Sequence, residues 1–208
     1  MRRTAKRAER IAFQGERGAF SEEAARKLLG REITLLPCAR FEDVFRRLKE
    51  GRATGAVVPI ENTLAGSVHE NYDHLQRFDL PIVAETSVRI VHNLIVRKDV
   101  KFSAIRRVYS HPVALNQCLD FFSENPHIER IPFYDTAGSV KMITEEGFTD
   151  AGAIASRVAA ELYDARILKK SIEDDRQNFT RFFLLRRPKD SRRLPTNAAV
   201  GEIGRAHV

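Results

Sequence analysis

The chain has 208 residues, 43% of them hydrophobic, enough for one large domain or two small ones with a real core. Its net charge of +7 sits at the ends: residues 1–10 carry +4 and the residues from Arg186 onward another +4, which leaves the span 11–185 at −1. That distribution argues against the basic stripe of a nucleic-acid binder. No apolar run reaches membrane-spanning length, and no apolar signal segment follows the basic start "MRRTAKRAER", so the cytoplasm is the expected compartment.

In chain order, "RIAFQ" reads as a strand, Ala19–Gly30 as a helix and "ITLLPC" as a second strand. In "FEDVFRRLKEG" the apolar residues Phe41, Val44, Phe45 and Leu48 recur at helical spacing, and Gly51 stands where a helix would stop. "GAVVPI" is a buried strand, followed by a helix over roughly Ser67–Phe78 and one long extended stretch, "PIVAETSVRIVHNLIVR". A second round repeats the alternation: "IRRVYS", a helix from Pro112, "IERIPFY", a helix from Thr136 or Ala137, "AGAIAS" and a helix to about Tyr163. "TRFFLLRR" closes it as a strand. Alternating strands and helices imply an α/β fold with mainly parallel sheets. Two rounds joined by a long strand, with a last strand able to return to the first, suggest two lobes with a ligand cleft between them. The expected partition is a basic flexible N-terminus over 1–10, lobe one over about 11–84 plus 176–187, lobe two over about 85–175, and an irregular polar tail over 188–208.

Four strand-to-helix junctions share small or hydroxylated residues at a helix start: "GERGAFSEEA", "PIENTLAGSV", "YSHPVALNQC" and "YDTAGSV". Backbone N–H groups at helix N-termini bind carboxylates or phosphates without needing a lysine, although each loop alone could equally be an ordinary cap by Ser21, Thr63, Ser67, Ser110 or Thr136. "GERG" matches neither a dinucleotide-binding nor a P-loop pattern, and the six histidines show no ligand spacing, so neither nucleotide binding nor a metal site is expected. Cys38 and Cys118 stand far apart outside any CxxC pattern and read as free buried thiols.

Taken together and in order, "FQGERGAFSEEAA", "VVPIENTLAGSV", "SHPVALNQC", "DTAGSV", "AAELY" and "NFTRFFLL" resemble the catalytic domain of prephenate dehydratases over about Ile11 to Arg187. The first loop departs from the family pattern, which usually has Gly-Pro where this chain has Gly15-Glu16, and that leaves the role of Arg17 open. The resemblance implies two lobes like a type II periplasmic binding protein, with the active site in the inter-lobe cleft. It also implies a decarboxylating dehydration of prephenate to phenylpyruvate without a cofactor. Carried over, Thr180 is the essential threonine, with Glu61, Asn62, Ser110 and Gln117 as its catalytic companions. Phe20, Ser21, Thr63, His111, Thr136, Asn178 and Arg181 are the expected substrate-binding residues. A protonated Glu61 in a desolvated cleft could complete a proton relay. Arg181 could reach a substrate carboxylate or turn away into a salt bridge.

The expected partner is the small-molecule substrate, in a homodimer with no nucleic acid and no membrane. A non-catalytic binding module of the same two-lobed type, or a dehydratase that also accepts arogenate, are the competing readings. Family members commonly continue into an ACT-type regulatory domain, whereas this chain ends about twenty residues after the last strand. Its final "EIGRAHV" can be back-translated into a sequence like common adapter DNA. The tail is therefore expected to be disordered, a truncated linker followed by an artefact, and phenylalanine is expected to inhibit weakly, through the cleft.

Overall fold

The computed structural model describes residues 9–192. The first round contains β1 (Glu9–Gln14), α1 (Phe20–Leu29), β2 (Ile33–Cys38), α2 (Phe41–Lys49), β3 (Gly55–Asn62), the short β4 (Gly66–Ser67), α3 (His69–Phe78) and β5 (Ile82–Arg89). The second contains β6 (Asn93–Val96), β7 (Arg107–Ser110), α4 (Pro112–Asn116), α5 (Leu119–Glu124), β8 (Glu129–Pro132), α6 (Thr136–Glu145), β9 (Ala151–Ala155), α7 (Arg157–Leu162) and β10 (Arg166–Lys169). β11 (Phe179–Leu185) then returns to the first.

Each lobe is a sheet covered by its own helices. In lobe one the strand order is β2-β1-β3-β11-β5, with β4 paired to β3; in lobe two it is β10-β6-β9-β7-β8. Apolar stripes set the packing: Ala24, Ala25 and Leu28 of α1 lie on one face of the first sheet with Ile11, Val57 and Phe182, and Val44, Phe45 and Leu48 of α2 lie on the other with Ala12, Val58 and Leu185. Lobe two divides its core in the same way. Leu94, Val108 and Ile154 pack under α4 and α5, while Ala137, Val140 and Ile143 of α6 pack over Ala151 and Ala153.

The sheets are mixed rather than mainly parallel, and the crossings are the reason. β3 and β5 both run antiparallel to β11, and β9 and β10 both run antiparallel to β6, whereas β1, β2 and β3, and likewise β7, β8 and β9, are parallel. In each lobe the strand that enters from the other lobe therefore lies against the direction of its neighbours. The carboxyl ends of the remaining long strands face the cleft, where open α/β sheets place their ligands.

The expected long strand is two strands, with Ile90–His92 as the crossing between sheets. Lobe one therefore keeps its strand through Arg89, past the boundary expected at 84. Glu9 and Arg10 belong to β1, so the basic N-terminal segment does not reach residue 10, and the helix expected from Pro112 is broken into α4 and α5 at Gln117–Cys118. β10 was not expected at all. Pro188–Asp190 form a 3-10 turn; the rest of the expected disordered tail, from 193 on, and residues 1–8 lie outside the described residues. Cys38 and Cys118 are free and buried, as expected. Among the described residues no helix is long and apolar enough to cross a membrane.

Candidate active site

A cavity of about 460 Å3 opens between the lobes at the carboxyl ends of β1, β3, β7 and β8. Its wall from lobe one is made of Gln14, Phe20, Ser21, Asn62, Thr180 and Phe182; lobe two contributes His111, Val113, Gln117, Tyr134, Asp135 and Thr136, and the first crossing contributes Ile90 and His92. Among the described residues, neither Lys nor Arg lines it.

Strand alternation decides what β11 offers this cavity. Thr180, Phe182 and Leu184 are buried, while Phe179 and Arg181, on either side of Thr180, are exposed. Thr180 stands directly opposite Asn62 in the antiparallel β3–β11 ladder, so both side chains share one face. Arg181 is paired with Glu61 on the other face, and the ladder shifts register immediately afterward. Asn62 Nδ2 donates to Thr180 Oγ1 at 2.9 Å and to Asn178 Oδ1 at 2.7 Å. Asn62 Oδ1 accepts from the backbone N–H groups of Leu64 and Ala65, at 3.0 and 2.8 Å, and from Gln117 Nε2 of lobe two at 3.2 Å. Gln117 Oε1 in turn accepts from Asn178 Nδ2 at 2.8 Å and lies 2.9 Å from His92 Nε2. Four elements thus meet in one uncharged relay ending on a threonine hydroxyl.

The opposite edge of the cleft is ionic. Glu16 accepts from Tyr134 Oη and Lys141 Nζ, each at 3.2 Å, and Asp135 caps α6 by accepting from the Gly138 N–H at 2.6 Å. Burial pushes the Asp135 carboxyl above the usual carboxylate range, against the pull of its backbone donors. Gly15, at a φ of +105°, lies so close that an added Cβ would meet Asp135 Oδ2 at 2.6 Å. Ser156 Oγ and Tyr163 Oη reach across from lobe two to the carbonyls of Gly18 and Arg17, at 2.8 and 2.9 Å. Arg17 itself turns to Glu22, donating from Nε to Oε2 at 2.8 Å.

Of the twelve residues expected in the site, Phe20, Ser21, Asn62, His111, Gln117, Thr136 and Thr180 line the cavity and five do not. Glu61 is exposed on the far face of β3, outside the desolvated cleft that a proton relay through it would need. Arg181 donates from Nε to Glu85 at 3.0 Å and lies over the Phe183 ring, the salt-bridge alternative rather than the substrate one. Ser110 is fully buried and donates to Ile154 O at 2.6 Å, tying β7 to β9. The Thr63 hydroxyl is engaged by Gln177 O and the Phe179 N–H, at 2.8 and 3.0 Å. Asn178, fully buried, acts one bond behind the lining.

The expected hydroxyl caps are not what starts these helices. α1 begins at Ala19 with no side-chain cap, α4 at His111, whose Nδ1 accepts from the Val113 N–H at 3.3 Å, and α6 at Asp135. Burial lowers the pKa of His111, although the ring is open to the cleft. Sequence reasoning missed His92 and Asp135. A lone His inside an apolar run gives no signal before the crossing is known; Asp135, three residues before Gly138, was readable as a cap.

Fold and cavity together define a two-lobed α/β protein with a small-molecule site at the carboxyl ends of its strands. Within that class a family model described as prephenate dehydratase matches residues 11–190. Arogenate dehydratase/prephenate dehydratase 2 of Arabidopsis thaliana is 42% identical over 178 residues, 86% of this chain and 46% of that protein. Among solved structures, the prephenate dehydratase of Arthrobacter aurescens in complex with L-Phe superposes with a TM-score of 0.80 at 31% identity, over 86% of this chain and 60% of that one. A structure described as GqqA, a novel type of quorum quenching acylase, superposes with a TM-score of 0.77 at 36% identity, over 86% and 64%. This chain belongs to the prephenate dehydratase family. It spans about half the length of the curated relatives it matches.

Proposed function

We propose that the cleft binds prephenate and catalyses its decarboxylating dehydration to phenylpyruvate. The observation that carries this reading is the Thr180 hydroxyl. It accepts from Asn62 Nδ2 and borders the cavity, and its own hydrogen has no acceptor among the described residues. In the reaction the bond from the ring to its carboxylate breaks, and its electron pair enters the ring. The C4–oxygen bond breaks in turn, and the departing hydroxide takes up a proton to leave as water. Because aromatisation drives the step, the protein's part is to hold the dianion in the fragmenting geometry and to stabilise the leaving oxygen. Thr180 donates a hydrogen bond to that oxygen; an aliphatic hydroxyl is far too weak an acid to give up its proton outright. The leaving group's proton comes from solvent or a water held in the cleft, since Glu61 lies outside it. The uncapped N-terminus of α1, whose Ala19, Phe20 and Ser21 line the cavity, and the Thr136 hydroxyl receive the carboxylates.

A second reading, action on arogenate, draws on the relatives whose names include arogenate dehydratase, two of which are each 42% identical to this chain over 178 residues. Arogenate carries an amino group in place of the side-chain keto group and would yield phenylalanine. The full chain, incubated separately with each substrate, decides: phenylpyruvate read by its absorbance in alkali, phenylalanine by chromatography. Phenylpyruvate from prephenate is the expected result, faster than arogenate turnover; a faster arogenate reaction would move the assignment, and no product from either would overturn it. A cytoplasmic location and a homodimer belong to the same reading, to be checked by cell fractionation and light scattering.

A further inference from the structure

Each amide in the relay could in principle face either way, yet the backbone leaves no freedom. Leu64 and Ala65 approach Asn62 with N–H groups, which can only donate, so the Asn62 atom they meet is its oxygen and the atom facing Thr180 is its nitrogen. Gln117 meets that same oxygen and must present its own nitrogen, which turns Gln117 Oε1 toward Asn178 and His92. Facing an acceptor at 2.9 Å, His92 Nε2 must carry a proton. The other ring nitrogen, Nδ1, is buried without a partner. A bare nitrogen in the interior calls for a reason, and the direction of the relay supplies it: the proton is needed on the opposite side of the ring. His92 is 2% exposed, its backbone N–H is held by Glu173 Oε2 at 3.0 Å, and the Phe20 ring stands edge-on to it at 6.0 Å, so the imidazole has one orientation. Burial lowers its pKa and keeps it neutral.

We propose that His92, held as the Nε2–H tautomer at the crossing between lobes, is a positioning residue. Its N–H clamps the Gln117 amide, and through Asn62 this commits the Thr180 hydroxyl to donate into the cleft. The role rests on the reading of Thr180 given above. It concerns orientation, so it should appear in kcat and not in KM.

The test begins with nitrogen-15 NMR of the wild-type full chain at neutral pH, which distinguishes the two neutral tautomers and the imidazolium. The neutral Nε2–H form is expected, and either of the others overturns the proposal. His92→Phe keeps a ring against Phe20 but removes the donor, and should lower kcat about tenfold with KM within about twofold, the scale of a small misplacement in an oriented site. His92→Gln places an amide N–H near the position of Nε2 and should recover most of that loss. A Phe variant with wild-type kcat, a raised KM at unchanged kcat, or a Gln variant no better than Phe would overturn it. Should the Phe variant fail to fold, the tautomer decides alone. Wild-type protein inactive on both prephenate and arogenate would defeat the proposed function while leaving the tautomer open to measurement.

Discussion

The two edges of the cleft join the same lobes by opposite means. At the loop Gly15–Ala19 the join is made of charges and of hydroxyls resting on carbonyls: Glu16 with Lys141 and Tyr134, Ser156 on Gly18, Tyr163 on Arg17. Along Asn62, Asn178, Gln117 and His92 it is made of neutral amides and one imidazole, each bond fixing the direction of the next. A partly exposed ion pair has no direction to lose and contributes little. A directional relay can be inverted by exchanging one atom. The cleft is therefore held by one edge and aimed by the other.

The sharpest way to break that contrast is Asn62→Asp, which changes a single NH2 to oxygen. Thr180 and Asn178 would then face an acceptor, the hydroxyl's hydrogen would turn away from the cavity, and kcat should fall about a hundredfold, as for loss of one transition-state donor, while the fold survives. Steady-state kinetics beside a thermal melt checks both halves; an active Asp variant would show that the relay has no working direction.

The next effect belongs to the ionic edge. Glu22, 2% exposed, accepts from Arg17, Arg26 and the Gly18 N–H, and shapes the loop that carries Glu16. Burial pushes its pKa up, but the two guanidiniums and the backbone donor outweigh it and leave the carboxyl below its ordinary value. A depressed pKa contributes stability that is present above the unfolded-state value and is lost as pH falls through the folded one. Glu22→Gln should therefore cost about 1–2 kcal/mol near neutrality. The difference from wild type should shrink in acid, as urea melts at several pH values would show; a gap that widened in acid would reverse the assignment. Asp135 runs the other way, since its raised pKa gives stability at low pH that is lost as pH rises through that value.

Smallest of all should be Glu16→Gln. The pair with Lys141 is part-exposed on both sides, so the melt should move by no more than about 0.5 kcal/mol and become insensitive to salt. A loss several times larger would make this edge more than a support.

How much of this could be read from the sequence follows from what each signal encodes. Period-2 alternation in "TRFFLL" puts Thr180 with Phe182 and Leu184 on one face and Arg181 on the other, where the structure pairs it with Glu85. The helical patterns placed α1 and α2 close to both of their ends and α6 at its start. The split at Ile90–His92 was invisible, because an extended chain that changes sheets keeps the same local pattern as one that does not. His92 was lost with it, and the antiparallel strands too, since strand direction is a property of the crossings rather than of any segment. Ser110 and Thr63 looked chemical because hydroxyls in loops look alike until their acceptors are known, and both acceptors, Ile154 O and Gln177 O, lie distant in sequence.

The central claim is that the hydroxyl of Thr180, aimed by Asn62, stabilises the leaving oxygen. Its most direct test is the turnover of prephenate by Thr180→Ala beside Thr180→Ser and wild type. The account expects kcat to fall at least about a hundredfold in the Ala variant with KM little changed, and a smaller loss in the Ser variant. An Ala variant as fast as wild type would contradict it.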